Sequence, residues 1–287
     1  MTPEWAALVD HVSARQLAAR RGGSRLWYRG QSDGWPLRSR LHRHFKDVID
    51  AASQADETEP EELLRVLRET EKSLFLDHLS RAWPIIPPHQ VERWGFLFWM
   101  QHHGIPTRLL DWSESFACAL FFALRYETPK AGCCLFILDP QALNADTVGR
   151  DGMVFVSDAF QATTLDLSPY HPLHPTLEHV RPVAVVPPLA TPRMSAQRAG
   201  FVITGHDFTP LEQQVTSRAV LEKLPLPETL WQDARAFLDL ADFGHYAAYP
   251  DPEGLLGEFR ETEAWQLGEA REMGRAAAPP PTGSETL

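Results

Sequence analysis

The sequence predicts a single-domain α+β protein in which a small mixed or antiparallel sheet is flanked by several helices. Three observations carry this expectation. The stretch "EPEELLRVLRETEKSLFLDHLSRAW" at 59–83 repeats Leu, Val and Phe at helical spacing. The continuous apolar run "GCCLFILD" at 132–139 is bounded by Gly and Pro, as a buried central strand would be. A chain of 287 residues with 44% hydrophobic content can fill a sizeable core, and neither an internal repeat nor a linker divides it.

The elements follow in order. Residues 3–20 form an amphipathic helical pattern that ends in the paired glycines of "RGGS" at 21–24. "RLWYRGQ" at 25–31 reads as a strand closed by "SDGWP". The long helix at 59–83 carries acidic residues in its first turn, where they suit the helix dipole, and "PIIPP" at 84–88 interrupts it. The next helix runs from about His89 to His102, stops at Gly104 and Pro106, and places Gln101 and His102 in its last turn. "TRLLDW" at 107–112 is extended, and Ser113 caps an apolar helix, "SESFACALFFALRYE". After the strand at 132–139, residues 140–180 read as loop-rich, with one short helix near "LHPTLEHV". "VRPVAVVPP" and "GFVITG" supply further strands, separated by the polar "LATPRMSAQRA". Residues 227–243 and 251–267 give two terminal helices, and "RAAAPPPTGSETL" has the composition of a disordered tail.

The formal net charge of −11 disfavours unspecific attraction to nucleic acid or to an anionic membrane. That average conceals an asymmetry. Between His11 and Lys46 nine basic residues stand against Asp33 alone, leaving this segment at +8 and the rest of the chain at −19. A local positive field suits a phosphate-bearing ligand, and it equally suits arginines paired with acidic side chains elsewhere. The opening helix lacks the long apolar centre of a signal peptide, and no run reaches the length of a membrane span, so a cytoplasmic protein without a membrane partner is expected. Cys118, Cys133 and Cys134 sit in apolar runs and read as reduced, buried thiols.

Most familiar chemistries fail on spacing. The sequence has no Gly-rich phosphate loop, no HExxH, no CxxC and no GxSxG. His171 and His174 have a metal-like separation, but Pro172 and Pro175 make the region a loop, and no metal site is expected. More telling is "QHHGIPTRLLDWS" at 101–113. There Gln101, His102, His103, Thr107, Arg108, Asp111 and Ser113 gather between a helix end, which favours protonated histidines, and a helix start, which attracts anions. Arg108 and Asp111 are as readily a buried ion pair. In "YRGQ", Arg29 offers a bidentate fork beside a glycine that admits close approach, with Gln31 next on the strand; Arg29 can equally be an ion pair at the edge of the core. "RMSAQRAGFVITG" adds Arg193 and Gln197, the latter able to orient a ligand or to cap a turn.

These pieces together resemble the FRG domain family. The matching stretches are "LWYRGQSDGWPLRSRLHR" at 26–43, "QHHGIPTRLLDWSESFACALFFAL" at 101–124, "GCCLFIL" at 132–138 and "RMSAQRAGFVITG" at 193–205, with "FGHYAAYPDPEGLLGEF" similar to the family's closing element. Tyr28 stands where the family name has Phe, and "ESFACAL" departs from the usual "ESP" form. The resemblance implies an N-terminal helix at 1–24, an FRG domain at 25–260 and a C-terminal helix end with its tail at 261–287. The order of elements is also similar to that of ADP-ribosyltransferases, where an early arginine holds NAD. By that likeness Arg29 would contact the pyrophosphate, Ser113 or Thr107 the nicotinamide ribose, and His102 would assist. The late acidic residue such enzymes use has no clear counterpart here, Glu212 being the substitute on offer.

The expected function is therefore recognition of a phosphate-bearing nucleotide by a polar, arginine-rich cleft. Arg29, Gln31, Gln101, His103, Thr107, Arg193 and Gln197 bind, while His102, Arg108, Asp111 and Ser113 carry any chemistry. NAD is expected as a substrate rather than as a resident cofactor, in an effector of toxin or phage-defence type. Three rivals stand beside it: a noncatalytic recognition module for a ligand or protein, a nucleic-acid enzyme with His102 or His103 as general base, and a purely structural role for the arginines.

Overall fold

Seven strands make one sheet, in the order β4-β5-β6-β2-β1-β3-β7, in the computed structural model of the chain. They are β1 (Trp27–Gln31), β2 (Leu109–Ser113), β3 (Cys134–Leu138), β4 (Val154–Phe155), β5 (Val183–Val186), β6 (Ala199–Ile203) and β7 (Leu221–Pro225). All neighbours are antiparallel except β4 and β5, so the sheet is mixed and the fold α+β, as the sequence predicts. The structure describes residues 1–45, 60–86, 93–125, 130–156, 165–175, 180–189, 191–215, 217–260 and 263. Expectations for the C-terminal tail, for the first residues of the helix begun at His89 and for half of "LHPTLEHV" fall outside these.

The helices are α1 (Pro3–Arg21), α2 (Pro60–Ala82), α3 (Arg93–His102), α4 (Phe116–Ala123), α5 (Pro140–Val148), α6 (Pro192–Ala196), α7 (Leu211–Gln214), α8 (Trp231–Leu240) and α9 (His245–Ala248). Further helical stretches stand at 40–45 and 252–260. Helix α5 corrects the expectation of a loop. Asp139 caps it by accepting from the backbone N–H groups of Gln141 and Ala142, Pro140 fits its first turn, and Gly149 closes it at φ 66°. Helix α4 is capped by Ser115, not Ser113, because Ser115 takes the Cys118 N–H while Ser113 is the last residue of β2.

The joint between β1 and β2 is unusual. Strand β2 pairs with β6 over five residues, and β1 with β3 over five, but β1 meets β2 at Tyr28 and Ser113 alone. The sheet is thus two antiparallel halves sharing a one-bridge seam. Since side chains alternate between faces, the register sorts the core. On one face, Phe75, Phe96, Met100, Leu109 and Phe201 form a cluster beneath α2 and α3, and Tyr28, Leu120 and Ile137 form another with Trp5 of α1 and Ala234 of α8. The opposite face buries Trp27, Trp112, Phe136, Val202 and Leu211. At Gly30 the α4 backbone lies so close that an added Cβ would stand 1.8 Å from the Ala119 carbonyl oxygen. This contact sets α4 against the seam.

Candidate functional site at the seam of the sheet

Between the two apolar clusters of the helical face, one residue of β2 is left exposed. Asp111, flanked in its strand by buried residues, has a side chain 59% exposed. Around it the sequence-derived residues form a connected chain. Thr107 Oγ1 donates to Gln101 Oε1 at 2.6 Å, and Gln101 Nε2 donates to Asp111 Oδ2 at 2.8 Å. From β1, Arg29 Nη1 donates to the Asp111 carbonyl oxygen at 2.6 Å and stands 3.9 Å from its carboxylate. The seam explains this reach, because the splayed strands leave that carbonyl to a side chain. Burial lowers the pKa of Arg29, while the nearby Asp111 and Cys134 act to raise it.

His102 and His103 sit side by side, their ring centroids 4.9 Å apart, and His103 also packs on Trp99. The helix-end argument favours their protonated forms; the structure opposes it. Both pKa values are lowered, first by burial and then by the positive charge of Arg193. Asp111 and Asp251 pull His102 the other way more weakly. Arg193 lies over the ring of Tyr249, 4.4 Å from its centroid. Arg43 feels the positive charges of Arg29 and Arg40 together with the negative charge of Asp111. One exposed carboxylate is thus met by Arg29 of β1 and acts on Arg43, while Arg193 of α6 shares His102 with it. Tyr249, Arg43 and Asp251 were not singled out from sequence, although Arg43 lay in the basic segment and Tyr249 in the closing element.

Other expected residues have turned to scaffolding. Arg108 is 1% exposed, and its partner is not Asp111. Its Nε donates to both oxygens of Glu71, at 2.8 and 3.0 Å, while Nη1 and Nη2 donate to the carbonyls of Thr204 and Tyr170. Ser113 Oγ donates to the Gln197 carbonyl at 2.6 Å and accepts the Ser115 N–H. Gln197 Nε2 donates to the Ala248 carbonyl. Gln31 and Trp27 share the opposite face of β1, and the carboxylate of Glu212, on α7, takes the Leu37 N–H at 3.0 and 3.2 Å. The substitute late acid is thus committed to holding a loop. His171 is buried against Phe75 and Trp94. All three cysteines are free and buried.

Residues 24–131 match the family model of the FRG domain. The match spans β1, the long helix, α3, β2 and α4, and so contains the whole seam with Arg29, Gln101, His102 and Asp111. It ends before Arg193 and Tyr249. No curated protein and no solved structure matches the chain. No helix among the described residues is long and apolar enough to cross a membrane.

Proposed function

We propose that the cleft on the seam binds a phosphate-bearing nucleotide, with NAD as substrate and cleavage of its nicotinamide–ribose bond, in the manner of ADP-ribosyl transfer, as the reaction. One observation supports this reading: Arg29 meets Asp111, an exposed carboxylate oriented by Gln101, while Arg43 lies in the field of that carboxylate and Arg193 acts on the same His102 as it does. Arg43 and Arg193 present forks suited to phosphate oxygens. Asp111 faces the positive charge that develops on the ribose as nicotinamide departs with the bonding electron pair. His102, neutral at pH 7 because its pKa is lowered, takes the proton of the water or acceptor hydroxyl that bonds to the vacated ribose carbon. A toxin or phage-defence effector is the setting such an activity fits.

The test is nicotinamide release from NAD, measured with the intact chain and with Asp111→Asn, which keeps the Gln101 contact. The expected loss in the variant is about 100-fold. Because the base acts unprotonated, the rate should hold through neutral pH and fall only in acid, below the ordinary histidine value of 6.5. An intact chain that releases no nicotinamide would sink the catalytic reading.

A further inference from the structure

Behind the seam, on the face away from the cleft, four polar side-chain atoms are buried without a hydrogen-bond partner among the described residues: Trp27 Nε1, Arg29 Nε, Gln31 Oε1 and Trp112 Nε1. Trp27, Gln31 and Trp112 are 1%, 6% and 3% exposed. The register places all four residues together. Trp27, Arg29 and Gln31 alternate along β1 opposite Leu138, Phe136 and Cys134, and Trp112 neighbours Arg29 one step beyond the Tyr28–Ser113 bridge. Loop residues 32–39 cover this face, pinned where Leu37 bonds Glu212 and Leu211.

A buried donor left unanswered costs about 1–3 kcal/mol, so several on two adjacent strands call for a guest. The chemistry of the set narrows what that guest is. Indole N–H groups and a guanidinium Nε–H only donate, and Arg29 adds positive charge; Gln31 accepts, or donates when its amide is turned. A group with several acceptor oxygens, one of them able to carry a proton for Gln31, answers them together. We infer that the inner face of the seam is a phosphate-oxyanion position held by Trp27, Arg29, Gln31 and Trp112. It stands independently of the nucleotide reading, although Arg29 touches both sides through different nitrogens. The oxyanion is either free phosphate or the phosphate of a nucleotide.

Indole N–H resonances of the intact, 15N-labelled chain read this directly. Trp27→Phe and Trp112→Phe assign the two signals, and inorganic phosphate or ADP is then titrated. Saturable shifts of both indoles with phosphate mark a free-anion site, and shifts with ADP alone mark a nucleotide phosphate. Gln31→Leu, with its melting temperature checked, should weaken the response at least threefold. Arg193→Ala, on the cleft face, should leave it unchanged even where nucleotide binding to the cleft is lost. Indole signals that stay still with both probes, or that respond equally in Gln31→Leu, would overturn the inference and leave the groups to water.

Discussion

Arg108 illustrates how a residue type that suggests chemistry can be spent on folding. Its guanidinium was legible as either a ligand-binding fork or half of a buried pair, and only the fold could choose its partner. The spacing to Asp111 suggested the wrong one, because Glu71 lies on a distant helix that sequence proximity cannot reveal. Both side chains are almost wholly buried, so removing one strands the other's charge. Arg68 stands 3.6 Å from the same carboxylate and shares the charge only in part. Arg108→Leu should therefore lose about 3–5 kcal/mol of stability, seen as a lower urea midpoint, with ligand affinity unchanged in whatever fraction remains folded. Asp111 drew attention for a reason available in the sequence: an acidic residue inside an apolar strand needs either a partner or an opening. Here it has Gln101 and the opening.

At the scale of elements, the helices and central strands were legible where the apolar period was strong. Those missed had weaker patterns. Strand β7 carries Glu222, Lys223 and Pro225, residues that blunt the edge of a sheet and hide its strand character. Helix α5 mixes Asn, Asp and Thr, poor helix formers, with Gln, Ala and Leu, and its ends are fixed by Asp139, Pro140 and Gly149. The Ser113 cap was displaced by two residues because β2 runs on through Ser113 to meet Tyr28. The most exacting contact between elements is Gly30 against α4. A methyl group there would meet backbone at Ala119 and, at 2.7 Å, at Ala123, and neither can step aside without moving the helix. Gly30→Ala should cost more than about 3 kcal/mol by overpacking, visible as loss of folded protein or a collapsed melting temperature.

Across the whole molecule, the seam between the two half-sheets organises everything assigned to function. Its single bridge leaves the Asp111 carbonyl to Arg29, and the face behind it holds polar atoms left unanswered among the described residues. None of this could be read from sequence, because it depends on which strands neighbour one another, and strand order is a property of the closed fold. The +8 segment was legible in charge but not in destination. Arg40 donates to the Gly104 carbonyl and Arg38 to that of Phe208, whereas Arg29 and Arg43 reach the field of Asp111. Arg193 arrives from well beyond the stretch that matches the FRG domain.

Arg193 also offers the cleanest test, since it and the Tyr249 ring it covers are only half-buried and truncating Arg193 leaves that ring in its place against Phe121 and Phe122. Calorimetric titration of NAD and ADP-ribose into the intact chain and into Arg193→Ala, with melting temperatures compared, addresses the central claim that the seam cleft is a nucleotide site. The account predicts saturable binding by the intact chain, weakened about tenfold or more in an equally stable variant, as loss of one charge-assisted contact implies. Absence of binding by the intact chain, or equal binding by the variant, would contradict it.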